Sequence, residues 1–207
     1  DVDLMQPICI GMDYNANINW MVCGQRKYNQ LLVIKSFYVK FERKLVELVS
    51  DFCDYYRFHR TKEVIYYVDS TALASNYAVN NEDFASVVEH SFNARGWTVT
   101  RVYIGNPMKH HEKHHLINSG LKGDSGLMPR FNKNNNEELL LSIEGAGVYI
   151  STNGFRKDKR GEKLAESEED LLENRTDGSD AFDTLFIGMN NFPTEAGGSF
   201  GMVSSFD

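Results

Sequence analysis

The chain has 207 residues, 42% hydrophobic and 25% charged, with 29 acidic side chains against 22 basic and a formal net charge of −7. That length supports one domain with a real core. An aromatic share of 12% excludes a disordered chain, and the density of charge leaves no apolar run long enough to span a membrane. The acidic balance excludes a basic protein that coats nucleic acid, yet leaves open nucleic acid handled at an acidic, metal-holding centre. Asp1 stands where a Met would begin a chain and no signal peptide follows, which reads as a fragment, the C-terminal domain of a longer protein. Cys9, Cys23 and Cys53 are odd in number and lack CxxC spacing, which points away from disulfides or structural zinc and towards a reducing cytoplasm. No P-loop motif occurs, so ATP-driven work belongs elsewhere.

In chain order, residues 7–15 form an apolar strand with a polar tip, and Trp20–Gly24 and Leu31–Tyr38 are the next two strands, joined through Arg26–Asn29. Short connections predict an antiparallel meander. From Phe41 the period changes: Phe41, Leu45, Val49, Phe52 and Tyr56 make the apolar stripe of a helix. Lys62–Asp69 is a strand buried on both faces. Asn81–Ala94 is a helix stopped near Gly96, and Trp97–Ile104 is a fifth strand. After the break at Gly105–Asn106–Pro107, helices are expected at Met108–Leu121 and Glu137–Glu144. Residues 148–160 read as a strand or a hairpin with a basic tip near Asn153–Gly154, and residues 162–173 as an acidic, solvated helix or loop. The last helix spans Ser179–Met189, with Ser179 as N-cap and Phe182, Leu185 and Phe186 as its apolar stripe. The order predicts an α/β domain with a mixed sheet.

Asp13 and Asp69 end two strands, and Asp180 and Asp183 share a face of the last helix. Taken singly, a strand-terminal aspartate is ordinarily a turn former. Taken together, three or four converging carboxylates cannot all stay ionised without cations, and hard divalent ions are the natural neutralisers. The segments IGMDYN (10–15), IYYVDS (65–70) and SDAFDTLFIG (179–188) resemble the ribonuclease H-like superfamily, and more narrowly the nuclease domain of the large terminase subunit of tailed bacteriophages. The resemblance implies a central five-stranded mixed sheet flanked by helices, with residues 1–207 as a single nuclease domain separated from its ATPase domain. It implies two Mg²⁺ or Mn²⁺ ions, with Asp13 bridging both, Asp69 and Asp183 each holding one, and Asp180 bound directly or through water. The implied activity is a two-metal endonuclease that cuts concatemeric double-stranded viral DNA during genome packaging. The implied partners are the ATPase domain, a small terminase subunit and the portal, in the cytoplasm of the bacterial host. The region around 123–165 matches no motif of that family.

Two basic stretches could meet DNA phosphates: Lys109, Lys113 and Arg130 in one, Arg156, Lys157, Lys159 and Arg160 in the other. The plain reading of each is a solvated surface. His111–Glu112–Lys113–His114–His115 also satisfies HExxH, the zinc-protease signature. Four of the six histidines lie within 110–115, so accidental spacing is easy, and no third ligand follows. A resolvase or a 3′–5′ exonuclease of the same superfamily is an alternative enzyme. Asp13–Tyr14–Asn15 lacks the Asp-x-Glu of the exonuclease. A catalytically silent docking module is the alternative of another class.

Overall fold

A computed structural model describes residues 2–73, 82–124, 126–151, 154–159 and 175–194. The acidic stretch 162–173, Arg160, and the Asn153 tip lie outside those residues.

Strand β1 (Ile8–Tyr14) sets the layout because its side chains alternate between two cores. Ile8, Ile10 and Met12 enter one cluster, while Cys9 enters the other, on the face that Gly11 and Asp13 share with it. Strands β2 (Ile18–Lys27) and β3 (Gln30–Lys40) follow as the expected antiparallel meander. Strands β4 (Glu63–Val68) and β5 (Thr98–Tyr103) then join in parallel beyond β1. A sixth strand, β6 (Met128–Phe131), pairs in parallel with β3 and extends the five expected strands to the order β5-β4-β1-β2-β3-β6. With Pro129 in the middle and only four residues, β6 carries no periodic signal, and as an edge strand it tolerates the proline.

One face of the sheet is covered by helices α1 (Leu45–Tyr55) and α2 (Phe84–Asn93). Phe52 packs there with its ring centroid 5.0 Å from Phe92 and 5.1 Å from Trp97. Helix α1 starts four residues after the expected stripe begins, because Glu42 takes a left-handed φ of 77°. Phe41 is consequently exposed instead of buried. Helix α2 is capped by Asp83, whose carboxylate accepts from the Ser86 backbone N–H.

The other face is covered by α5 (Asp177–Asn191), with α3 (His110–Lys122) and α4 (Glu137–Gly145) beside it. The hairpin of β7 (Val148–Ser151) and β8 (Gly154–Lys157) forms its own two-stranded sheet. Thr176, not Ser179, occupies the N-cap of α5. Ser179 lies inside the first turn, its backbone N–H donating to the Ser142 hydroxyl at 2.9 Å. Among the described residues no helix is long and apolar enough to cross a membrane.

Candidate functional site

The pairing of β1 with β4 puts Asp13 and Asp69 at the same ends of neighbouring strands. Strands β1 and β4 run parallel with Ile8 opposite Val64, Cys9 opposite Ile65 and Ile10 opposite Tyr66. Asp13 and Asp69 each lie three residues beyond the last paired residues, Ile10 and Tyr66. Parity agrees, since Cys9, Ile65 and Tyr67 all face the α5 core, and Asp13 and Asp69 are odd-numbered on the same strands. Both carboxylates therefore stand at the C-terminal edge of adjacent parallel strands, under α5.

Gly11 brings α5 to them. A Cβ at Gly11 would lie 2.7 Å from the Ala181 carbonyl oxygen, too close for any other residue. The helix backbone thus rests on β1 two residues before Asp13. Asp180 and Asp183 flank that contact, one helical turn apart on one face. Asp69 and Asp183 line the same cleft, together with Ile104, Asn106 and Lys113.

The carboxylates differ in their surroundings. Asp13 is half-buried, and its carboxylate makes no hydrogen bond or salt bridge with the described residues. Burial first, then repulsion from Asp180 and Asp177, pushes its carboxyl well above the usual carboxylate range, against partial relief from Lys159 and Lys157. Asp69 accepts at Oδ1 from the Thr71 backbone N–H (2.8 Å) and hydroxyl (2.5 Å), and both bonds fall on that one oxygen. On α5, Lys157 Nζ donates to Asp180 Oδ1 (2.7 Å), Asp183 Oδ2 (2.9 Å) and Ser179 Oγ (2.8 Å). Lys113 Nζ lies 2.7 Å from Asp183 Oδ2 and 3.6 Å from Asp180 Oδ1, and Lys159 Nζ lies 2.5 Å from Asp180 Oδ2. Burial alone would raise Asp180, but Lys157, Lys113 and Lys159 together outweigh it and hold the group far below the usual range.

The remaining basic residues spread out. Lys109, at the N-cap of α3, and Arg156, on β8, are exposed near this network. Arg130 is exposed on β6, at the sheet edge furthest from β4 and β5. His111 and His115 are exposed on α3. Burial first, then Lys113 and Arg156, lowers the His110 imidazole.

Sequence reasoning missed a buried polar cluster at the start of α5. Asp177 is 2% exposed and Arg175 8%, with Arg175 Nε 3.2 Å from Asp177 Oδ2. Asn15 Nδ2 donates to Asp177 Oδ1 at 3.0 Å, tying the tip of β1 to the first turn of α5. The available signal was parity, because Asn15 lies two residues beyond Asp13 on the same face.

The donor chemistry suits a hard divalent cation. Every acid in the cluster offers oxygen, Asp13 has no counter-ion within bonding reach among the described residues, and the α5 pair has already drawn ammonium groups to itself. The ligand shell is not drawn together in advance. Among the described residues no three His, Cys, Asp or Glu side chains stand close enough to hold a metal ion, which applies equally to the HExxH histidines.

No family model matches the chain, and no curated protein matches it. Solved structures do. The large terminase from a thermophilic bacteriophage superposes with a TM-score of 0.56 at 11% identity in one crystal form and 0.55 at 12% in another. The match covers 93% of this chain and 42% of that one, so this chain spans less than half of the terminase it resembles. The large terminase nuclease from thermophilic phage G20c with bound magnesium matches at 14% identity and a TM-score of 0.49, covering 90% and 83% of the two chains. In fold, then, this chain is a mixed-sheet α/β domain similar to that part of the large terminase on which it superposes.

Proposed function

We propose that this chain is a metal-dependent endonuclease that cuts double-stranded DNA, the nuclease part of a phage large terminase acting in the cytoplasm of the bacterial host. The observation that supports the reading is the shared offset of Asp13 and Asp69 on adjacent parallel strands beneath an α5 pressed onto Gly11, together with the cleft that Asp69 and Asp183 line. On this reading Asp13, Asp69 and Asp183 hold two Mg²⁺ or Mn²⁺ ions, with Asp180 beside them. Such ions supply an activated water and stabilise charge on a phosphodiester in an in-line displacement.

The chain's own residues do the rest. Thr71 fixes the Asp69 carboxylate by two hydrogen bonds to Oδ1, so the group keeps one orientation. Asn15 and Asp177 hold the β1 tip to α5 and so hold the spacing between Asp13 and the helix acids. Lys109, next to the cleft residue Met108, and Arg156, next to Lys157, are exposed and offer phosphate contacts that carry no sequence information. A motor ATPase domain, a small terminase subunit and a portal are the partners this reading assigns to the whole protein.

The test uses supercoiled plasmid with Mg²⁺ or Mn²⁺. Nicked and linear products are expected, with loss under chelator and at least about a hundredfold loss in Asp69→Ala and Asp183→Ala, since even groups that only orient metal ligands cost roughly 10–100-fold. Cleavage indifferent to chelator or to both substitutions would overturn the proposal.

A further inference from the structure

Lys157 is held as few surface lysines are. It reaches from β8 to the first turns of α5, and its ammonium group uses its three donors on three acceptors, Ser179 Oγ, Asp180 Oδ1 and Asp183 Oδ2, at 2.7–2.9 Å. Its side chain is 11% exposed. Lys113 comes from α3 on the other side, 19% exposed, and shares Asp183 Oδ2 at 2.7 Å. Exposed ion pairs contribute little and hold no fixed geometry. These are shielded, short and shared, so each ammonium group is a specific ligand of the acid pair. Two carboxylates one turn apart repel each other, and the two lysines remove that repulsion. Asp183 also lines the cleft that holds Asp69, with Lys113 in its wall.

We propose that Lys113 and Lys157 are built-in counter-cations of the α5 acids, which a divalent ion must displace before Asp180 and Asp183 can serve as its ligands. This inference rests on the metal-dependent reading above and adds its regulation. A divalent ion brings twice the charge at shorter contact, so exchange is favourable once concentration suffices, but every exchange sacrifices short ammonium–carboxylate bonds. Apparent metal affinity is thereby set by the lysines as well as by the acids. The displaced ammonium groups remain on flexible four-carbon stems beside the cleft, available to a DNA phosphate. The same lysines would thus close the acid pair in the free protein and face the backbone of the substrate in the loaded one.

The experiment is calorimetric titration of the full chain with MnCl₂ in the absence of DNA, comparing wild type with Lys157→Gln, Lys113→Gln and Asp183→Asn. Each variant is first checked for cooperative thermal unfolding in chelator. Charge-assisted hydrogen bonds of this kind are each worth enough to move an equilibrium by roughly tenfold. Lys157→Gln is therefore expected to bind Mn²⁺ about tenfold more tightly than wild type, and to gain more in thermal midpoint from Mn²⁺. Lys113→Gln should move in the same direction, and it replaces Lys157→Gln if that variant fails to fold. Binding by Lys157→Gln alone, with none by wild type, supports the proposal in its strongest form. Asp183-dependent binding in wild type that is unchanged or weakened in both lysine variants overturns this inference and leaves the nuclease reading standing. Lack of carboxylate-dependent binding in every protein overturns both.

Discussion

The two faces of the sheet are built for different ends. Under α1 and α2 the core is aromatic and aliphatic, with Phe52, Phe92 and Trp97 in edge contacts. Under α5 the C-terminal half of the helix is equally apolar, through Leu185, Phe186 and Met189, but its first turns and the approach to them bury Arg175, Thr176, Asp177, Ser179 and Asp183. Buried charge costs solvation and returns it only through well-made partners. The first face therefore carries stability, and the second gives up some of it to hold acids in place.

That contrast can be broken at the α1 face first. Phe52→Ala is expected to cost about 3–5 kcal/mol of folding free energy, read by urea unfolding, while plasmid cleavage per folded molecule stays within about twofold. A comparable loss of activity per folded molecule would show that the faces are not separable. Gly11→Ala should act on both properties together. The added methyl drives α5 off β1, costing about 1–3 kcal/mol and reducing cleavage by more than the unfolded fraction accounts for. Unchanged cleavage there would remove Gly11 from the account of how the acids are gathered.

The smallest effect and the sharpest sign come from Asp13. Its native carboxyl titrates above the unfolded value, so the folded state binds more protons between the two, and stability falls as pH rises through that window. Asp13→Asn should therefore make the metal-free protein more stable than wild type at neutral pH. The gain should vanish below the ordinary carboxylate value of about 3.9, while cleavage is lost. Asp180 has the opposite sign. Held low by three lysines, it contributes stability above the ordinary value and loses it as pH falls through its depressed native one. Urea unfolding across a pH series in chelator checks both.

Period and punctuation made most of the fold legible. The short apolar run with its polar tip in residues 7–15 and the apolar run in 62–69 marked the central strands, and the stripe of Leu45, Val49 and Phe52 marked the helix that covers them. The acids at strand tips were visible because an aspartate at the end of an apolar run is out of place there. What escaped were features that no local pattern encodes. Strand β6 exists through its pairing with β3, and the Glu42 backbone turn delays α1 without any mark in the hydrophobic spacing. Charge alone reads Lys113 and Lys157 as DNA contacts. Their salt bridges to acids 23 to 70 residues away depend on how α3 and the β7–β8 hairpin fold against α5.

The shared register of β1 and β4 makes the two strands a pair of matched rulers. From Ile8 to Asp13 and from Val64 to Asp69 the count of residues is the same. A single deletion in either strand would turn its terminal aspartate to the opposite face of the sheet, into the aromatic core under α1 and α2. Sequence length in these two segments is thus as constrained as residue identity. A change of length inside either ruler keeps its aspartate on the α5 face only if a second change in the same strand restores the count.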